Sequence, residues 1–299
     1  MRMEGTNTRF SQRHPFMFGV MMIIMAVALI WGATAFFRSM GVTSGSMFGG
    51  DKLGVVYVEG MILDSSEVVN WIRTLKNDKS VKGVLLRVDS PGGGIAPSQE
   101  IYQAVMALND VKPVVASYGN VAASGGYYAS APARVIVANP GSITASIGVM
   151  AEFVTVTEAM EKLGIKPEVL TTGKYKAAGT PMRDLSPEQR EQLLGLMLDL
   201  HEQFVADVAR ARQMDPERVA AIADGRAVSG RQALALGLVD MLGSQEQAFA
   251  KLKELCEIEG KAALLEGPIE ETTLMQDIIG TLKIDFSSSI PQGWTFSYK

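Results

Sequence analysis

The apolar positions at the start of the chain form a block rather than a period. Phe16 to Phe37 runs for 22 positions without a charge, through Met21, Ile23, Ile24, Val27, Leu29, Ile30 and Trp31. At about 1.5 Å of rise per residue, a helix of that length crosses the hydrocarbon of a bilayer. Beyond Asp51 the texture changes to short apolar runs closed by turn residues. These are Gly54-Val55-Val56-Tyr57-Val58-Glu59-Gly60, Val84-Leu85-Leu86-Arg87-Val88, Val114-Val115-Ala116-Ser117-Tyr118, Arg134-Val135-Ile136-Val137-Ala138 and Gly148-Val149-Met150. Such runs predict strands. Val68, Trp71, Ile72 and Leu75 recur at helical spacing between the first two, and a helical segment from Pro97 to Leu108 separates the second from the third. Strand and helix alternate, which predicts an α/β domain with a largely parallel sheet.

From Ser186 the period lengthens. Ser186-Pro187-Glu188-Gln189 opens a helix that runs to Arg212, with a capping serine, a proline in the first turn and an acid behind it. Its stripe of Leu193, Leu194, Met197, Leu200, Phe204 and Val208 predicts a side turned to the core or to another subunit. Asp215-Pro216-Glu217 starts a further helix, and Ser229 to Leu236 reads as a short one ended by Gly237. Gly41 to Gly50, rich in glycine and serine, reads as a flexible linker. After Gly267-Pro268 the pattern weakens. Leu274, Ile278, Ile279 and Leu282 have the spacing of an amphipathic helix, and Ile290-Pro291-Gln292-Gly293-Trp294-Thr295-Phe296 is apolar enough to meet lipid or a second subunit.

Charge orients the block. Arg2, Arg9 and Arg13 precede it and Arg38 alone follows closely, so the N-terminus is expected on the cytoplasmic side. A cleaved signal peptide is the competing reading, because Ala33-Thr34-Ala35 is a small-x-small triplet; the block is longer than the roughly 7 to 15 residues of a signal-peptide core. Beyond Arg38 the chain carries 24 basic and 31 acidic side chains, about −7 in net charge, which argues against a nucleic-acid partner. The single cysteine, Cys256, excludes an intramolecular disulfide and a cysteine-based zinc site, and its expected role is a small, partly buried apolar residue. No cofactor or metal is called for.

Candidate chemistry centres on Asn120-Val121-Ala122-Ala123-Ser124-Gly125-Gly126-Tyr127-Tyr128-Ala129-Ser130, where a serine stands between an apolar strand and a helix. A serine hydroxyl is a poor nucleophile until a neighbouring base takes its proton. Only two histidines are available: His14 precedes the apolar block, and His201 sits on the long helix among Leu198, Asp199, Leu200 and Glu202. A Ser-His-Asp triad is therefore not expected, and a lysine base is the variant to test. Burial disfavours the ammonium form, so such a lysine belongs in a dry place without a carboxylate partner. Lys176, in Thr172-Gly173-Lys174-Tyr175-Lys176-Ala177-Ala178-Gly179, has uncharged neighbours, with Lys174 as the alternative. Asp89-Ser90-Pro91-Gly92-Gly93-Gly94 follows a strand and precedes a helix, a turn that frees backbone N–H groups for an anion. Neither phosphate-binding glycine motif is present, so the anion is an oxyanion with Gly93 and Gly125 as donors, or the glycines merely make a tight turn.

At these residues the sequence resembles the SppA-type signal peptide peptidases, membrane-bound serine peptidases of the crotonase-like, Clp-protease-like α/β fold. The resemblance rests on Asp-Ser-Pro-Gly-Gly-Gly at 89–94, Ala-Ala-Ser-Gly-Gly-Tyr-Tyr at 122–128, Gly-Ser-Ile-Thr-Ala-Ser-Ile-Gly-Val at 141–149, Tyr175-Lys176, Arg183 to Glu188, and Gly225 to Asp240. It covers about Lys52 to Leu255. It implies Ser124 as nucleophile, Lys176 as general base, Gly93 and Gly125 as oxyanion donors, and Ser146 as the serine that orients the lysine, although Ser142 and Thr144 stand nearby. It also implies a short form with one catalytic unit per chain, a ring-like homo-oligomer, and short hydrophobic peptides such as signal-peptide remnants as substrates. The expected organisation is a cytoplasmic segment 1–15, a transmembrane helix 16–37, a linker 38–51, a peptidase domain 52–265 and a tail 266–299. This places a single-pass protein in a bacterial inner (plasma) membrane with its catalytic domain on the extracytoplasmic side. Two rival functions share the fold: a catalytically idle membrane scaffold and an acyl-CoA-handling enzyme.

Overall fold

The computed structural model describes residues 15–39, 51–268 and 296–298. The N-terminal segment expected in the cytoplasm, apart from Pro15, most of the expected linker and the candidate tail helix lie outside them. Helix α1, Pro15–Ser39, carries the apolar block, and its window Phe16–Ala33 is long and apolar enough to cross a membrane.

The second unit begins at Asp51. Strand β1, Lys52–Ile62, leads through helix α2, Ser66–Asn77, to strand β2, Val81–Gly94. Helix α3, Ile95–Asn109, returns the chain to β3, Val114–Ala123, which runs into the short helix α4, Gly125–Ser130. Strands β4, Val135–Ala138, β5, Ile143–Ala145, and β6, Met150–Ala151, precede α5, Thr157–Lys162. Then come α6, Pro187–Arg212, α7, Pro216–Ile222, β7, Ala227–Ser229, and α8, Gly230–Leu236. Strand β8, Met241–Leu242, α9, Gln245–Leu255, β9, Ala263–Gly267, and β10, Phe296–Tyr298, complete the described elements.

The mixed α/β sheet is parallel at its centre. β1 pairs with β2 and β9, β2 with β3, and β3 with β4, all in parallel. β3 changes partner along its length: Val115 to Ser117 face β4, whereas Val121 to Ala123 face β5. That switch opens one end of the sheet, where β5 pairs antiparallel with β7 and β10 bridges β2 and β6. Sequence placed one strand at Gly148–Met150; the chain instead forms β5 and β6 on either side of a turn at Ala145 and Ser146, both with positive φ.

Tyr102, Tyr118, Tyr127, Tyr128 and Phe204 are fully buried beneath this end. Burying each large side chain contributes roughly 1.5–3 kcal/mol, provided its polar tip finds a partner. The Tyr127 hydroxyl donates to Leu238 O at 3.0 Å, the Tyr102 hydroxyl to Asp207 O at 3.0 Å, and Tyr118 and Ser130 share a bond of 2.9 Å. Burial pushes the Tyr118 and Tyr127 phenols well above their ordinary range, so both are hydrogen-bonded structural groups at neutral pH. Ser186 caps its helix and Asp215 opens the next, as read from sequence, and Ser229 closes a further capping box that sequence did not single out. Of the long stripe, Leu193, Phe204 and Val208 are buried but Leu194 is exposed, because the C-terminal half of α6 provides most of the helix's core contacts.

Candidate active site

Ser124 is the hinge between β3 and α4. Its φ of 53° and ψ of −118° lie where a side-chain-bearing residue costs about 1–3 kcal/mol. Two backbone bonds keep it there: Ser124 N–H donates to Ala145 O at 2.7 Å, and Tyr128 N–H donates to Ser124 O at 2.8 Å. The buried rings of Tyr127 and Tyr128 anchor the helix that follows. The Ser124 hydroxyl is fully buried and has no hydrogen-bond partner among the described residues. An orphaned hydroxyl at a strained strand-to-helix turn is costly for folding and suited to a nucleophile.

Gly93 and Gly125 are brought together. A Cβ on Gly125 would stand 3.1 Å from Gly93 N and 2.5 Å from Ser98 Oγ, and a Cβ on Gly93 would stand 2.2 Å from Ile62 O. Only glycine allows β1, β2 and the start of α4 to meet this closely. Ser98, which sequence did not single out, donates to Gly94 O at 2.8 Å and fixes the same turn. Asp89 accepts from Val121 N–H at 3.1 Å and so ties β2 to β3 just before Ser124.

Ser146 directly follows Ala145, the last residue of β5, whose register partner Ala123 precedes Ser124. Its own φ is 51°, its N–H donates to Arg226 O at 3.0 Å, and its hydroxyl donates to Gly225 O at 3.3 Å. The nearby hydroxyls have other work: Ser142 donates to Gly119 O at 2.6 Å and Thr144 to Ala122 O at 2.7 Å, both stitching β5 to β3.

Lys176 sits on a turn pinned by buried Ala177 and Ala178 and by the bond from its N–H to Gly173 O at 3.1 Å. It is exposed, and it makes no hydrogen bond to Ser124. The dry setting expected of a base is thus absent in the isolated chain. The reason is local: from Glu152 to Leu185 only Ala177 and Ala178 are buried, and Leu170 is 87% exposed. The Lys174 ammonium lies 5.2 Å from the centre of the Tyr175 ring. His201 is half-buried on α6. Among the described residues no group of three or more His, Cys, Asp or Glu could hold a metal ion.

Comparison with known proteins gives this geometry its family. Residues 106–259 match Peptidase family S49. A chain of Methanocaldococcus jannaschii, provisionally named a protease, is 34% identical over 267 residues, covering 84% of this chain and 86% of its own. One of Enterococcus faecium, provisionally named signal peptide peptidase SppA, is 35% identical over 217 residues, 68% of this chain and 63% of its own. Among solved structures, a point mutant of ClpP1 from Listeria monocytogenes aligns with a TM-score of 0.45 and 14% identity over 65% of this chain and 93% of its own. The chain belongs to Peptidase family S49 and is a serine-type peptidase.

Proposed function

We propose that this is a membrane-anchored endopeptidase that cleaves short hydrophobic peptides, signal-peptide remnants among them, with Ser124 and Lys176 as a catalytic dyad. The observation that carries the reading is the buried, unpartnered Ser124 hydroxyl at a strained turn, flanked by the Gly93–Gly125 contact and by Ser146. In the reaction, Ser124 Oγ attacks the substrate carbonyl while Lys176 Nζ accepts its proton. The tetrahedral oxyanion faces the N–H groups of Gly93 and Gly125, where two donors match the charge as it develops. Lys176 then returns the proton to the leaving amine, and a water molecule activated by the same lysine releases the acyl group. Ser146 orients the amine, which needs alignment as an imidazole does.

The dyad needs a drier surrounding than one chain supplies. Val154, Leu163, Ile165 and Leu170 are exposed on the segment that carries Lys176. Exposed apolar side chains along one segment favour burial against another copy, in keeping with a homo-oligomer whose neighbours complete each site. The apolar helix α1 supports anchoring, and the arginines ahead of it support a catalytic domain outside the cytoplasm. Purified Ser124→Ala and Lys176→Ala proteins are each expected to lose hydrolysis of a fluorogenic hydrophobic peptide while remaining folded. Near-wild-type turnover by Lys176→Ala, with loss in Lys174→Ala, would transfer the role to Lys174.

A further inference from the structure

Helix α4 has six residues, with Ser124 as its N-cap and Gly125 in its first turn. A helix that short does not hold itself in water, so its place is set by what grips its side chains. Two consecutive tyrosines do so, and because successive residues leave a helix about 100° apart, the two arms together fix its rotation. The Tyr127 hydroxyl reaches the backbone at Leu238 O, at 3.0 Å. Tyr128 reaches α6 instead. Its ring packs on Tyr102 and Phe204, with centroids 5.1 and 4.7 Å away, and its hydroxyl donates to the Asp207 carboxylate. A hydrogen bond to a carboxylate is about twice as strong as one between neutral groups, so this is the firmer arm. Asp207 is also a junction: its carbonyl accepts from the Tyr102 hydroxyl at 3.0 Å and its other carboxylate oxygen accepts from Arg210 at 2.9 Å. α3, α4 and α6 thus meet at one side chain, which is 15% exposed and lines an open cleft of about 1150 Å³ between α2, α3 and α6.

We infer that Asp207, acting through Tyr128, is a positioning residue for the nucleophile: it sets the rotation of α4 and so aims Ser124 Oγ and the Gly125 N–H without touching substrate. The catalytic consequence rests on the peptidase reading; the anchoring rests on the contacts alone. Tyr128 N–H donates to Ser124 O at 2.8 Å, so a displacement of Tyr128 is passed directly to Ser124. A rotation of α4 by about 25° carries a Cα at its radius of about 2.3 Å through about 1 Å. At the reacting atoms a misplacement of that size costs about 100-fold in rate. A strained residue such as Ser124 keeps its conformation only where the surroundings over-determine it, and the Tyr128–Asp207 arm supplies part of that constraint.

The test uses the full chain in detergent with two readouts: the rate at which a fluorophosphonate modifies Ser124, and hydrogen exchange of the segment 121–131 by mass spectrometry. Tyr128→Phe keeps the ring and removes only the hydroxyl, and water in the cleft replaces the donor that Asp207 loses, so the variant folds. It is expected to label about 10- to 100-fold more slowly than the parent and to exchange faster in 121–131. Asp207→Ala should match it, and the double variant should be no slower than either, because both changes remove the same contact. Asp207→Asn retains an acceptor oxygen and is expected to recover most of the rate. Tyr102→Phe removes the neighbouring bond to Asp207 O, and is expected to lower the melting temperature without slowing the labelling. Parent-like labelling in Tyr128→Phe, or slowing in Tyr102→Phe as large as in Tyr128→Phe, overturns the inference. A parent that takes no label, but whose segment 121–131 loosens in Tyr128→Phe and Asp207→Ala and not in Tyr102→Phe, sinks the peptidase reading and leaves the anchor standing; no label and no loosening sinks both.

Discussion

Replacing Ser124 by alanine removes one atom and leaves the backbone bonds to Ala145 and Tyr128 intact. That hydroxyl is buried without a partner among the described residues, a state that costs about 1–3 kcal/mol relative to a solvated group. Loss of its small van der Waals contacts offsets part of the gain, so a net stabilisation of about 1–2 kcal/mol is expected. For a domain of this size each kcal/mol moves the melting temperature by about 2–4 °C, which predicts a rise of about 2–8 °C. Ser124→Gly should melt at least as high as the alanine protein, because glycine relieves the strain of φ 53° at the expense of about 0.5–1 kcal/mol in unfolded-state entropy. Scanning fluorimetry in detergent reads both values, alongside hydrolysis of a fluorogenic peptide, which both variants should lose. An alanine protein that melts lower than the parent by more than about 2 °C would mean that the hydroxyl has a structural partner, and the case for a serine kept unsatisfied for chemistry would fail.

Gly125→Ala drives a Cβ to 2.5 Å from Ser98 Oγ and 3.1 Å from Gly93 N. It should lower kcat/KM by about 100-fold or more through displacement of an oxyanion donor, and adding Ser98→Ala should recover stability without recovering activity. Recovery of both would reduce the glycine to a packing role. Cys256 gives a pH-dependent readout: burial pushes its thiol up to about 11, so iodoacetamide at pH 8 should modify it slowly in the folded chain and quickly after unfolding. Its folded pKa lies above the free-thiol value of about 8.5, so this group's contribution to stability is complete below that pH and declines as pH rises toward 11. Equal modification rates in the two states would contradict the burial.

Local signals were read well because local chemistry decides them. The Ser186 cap and the αL glycine at Gly237 depend on a few adjacent residues, and both form. β1, β2 and β3 are buried runs long enough to declare themselves, although each extends past its apolar stretch. The end of the sheet that carries Ser124 was harder to read. β5 and β6 are three and two residues long, separated by a positive-φ turn that no periodicity encodes. β10 has only three residues, too few for an alternation to stand out, and its partner Gly93–Gly94 is distant in sequence. Gly93 and Gly125 were nominated by motif, and the missing Cβ atoms supply the reason. Lys176 was likewise nominated by motif, and it stands exposed on a segment with few buried residues.

The central claim is that Ser124 is a nucleophile activated by Lys176. Fluorophosphonate modification, followed by intact mass and peptide mapping, addresses it most directly. The account predicts a single adduct on Ser124 in the full chain and a rate reduced by about 100-fold or more in Lys176→Ala, with Lys174→Ala unaffected. An adduct on another serine, or an undiminished rate in Lys176→Ala, would contradict it.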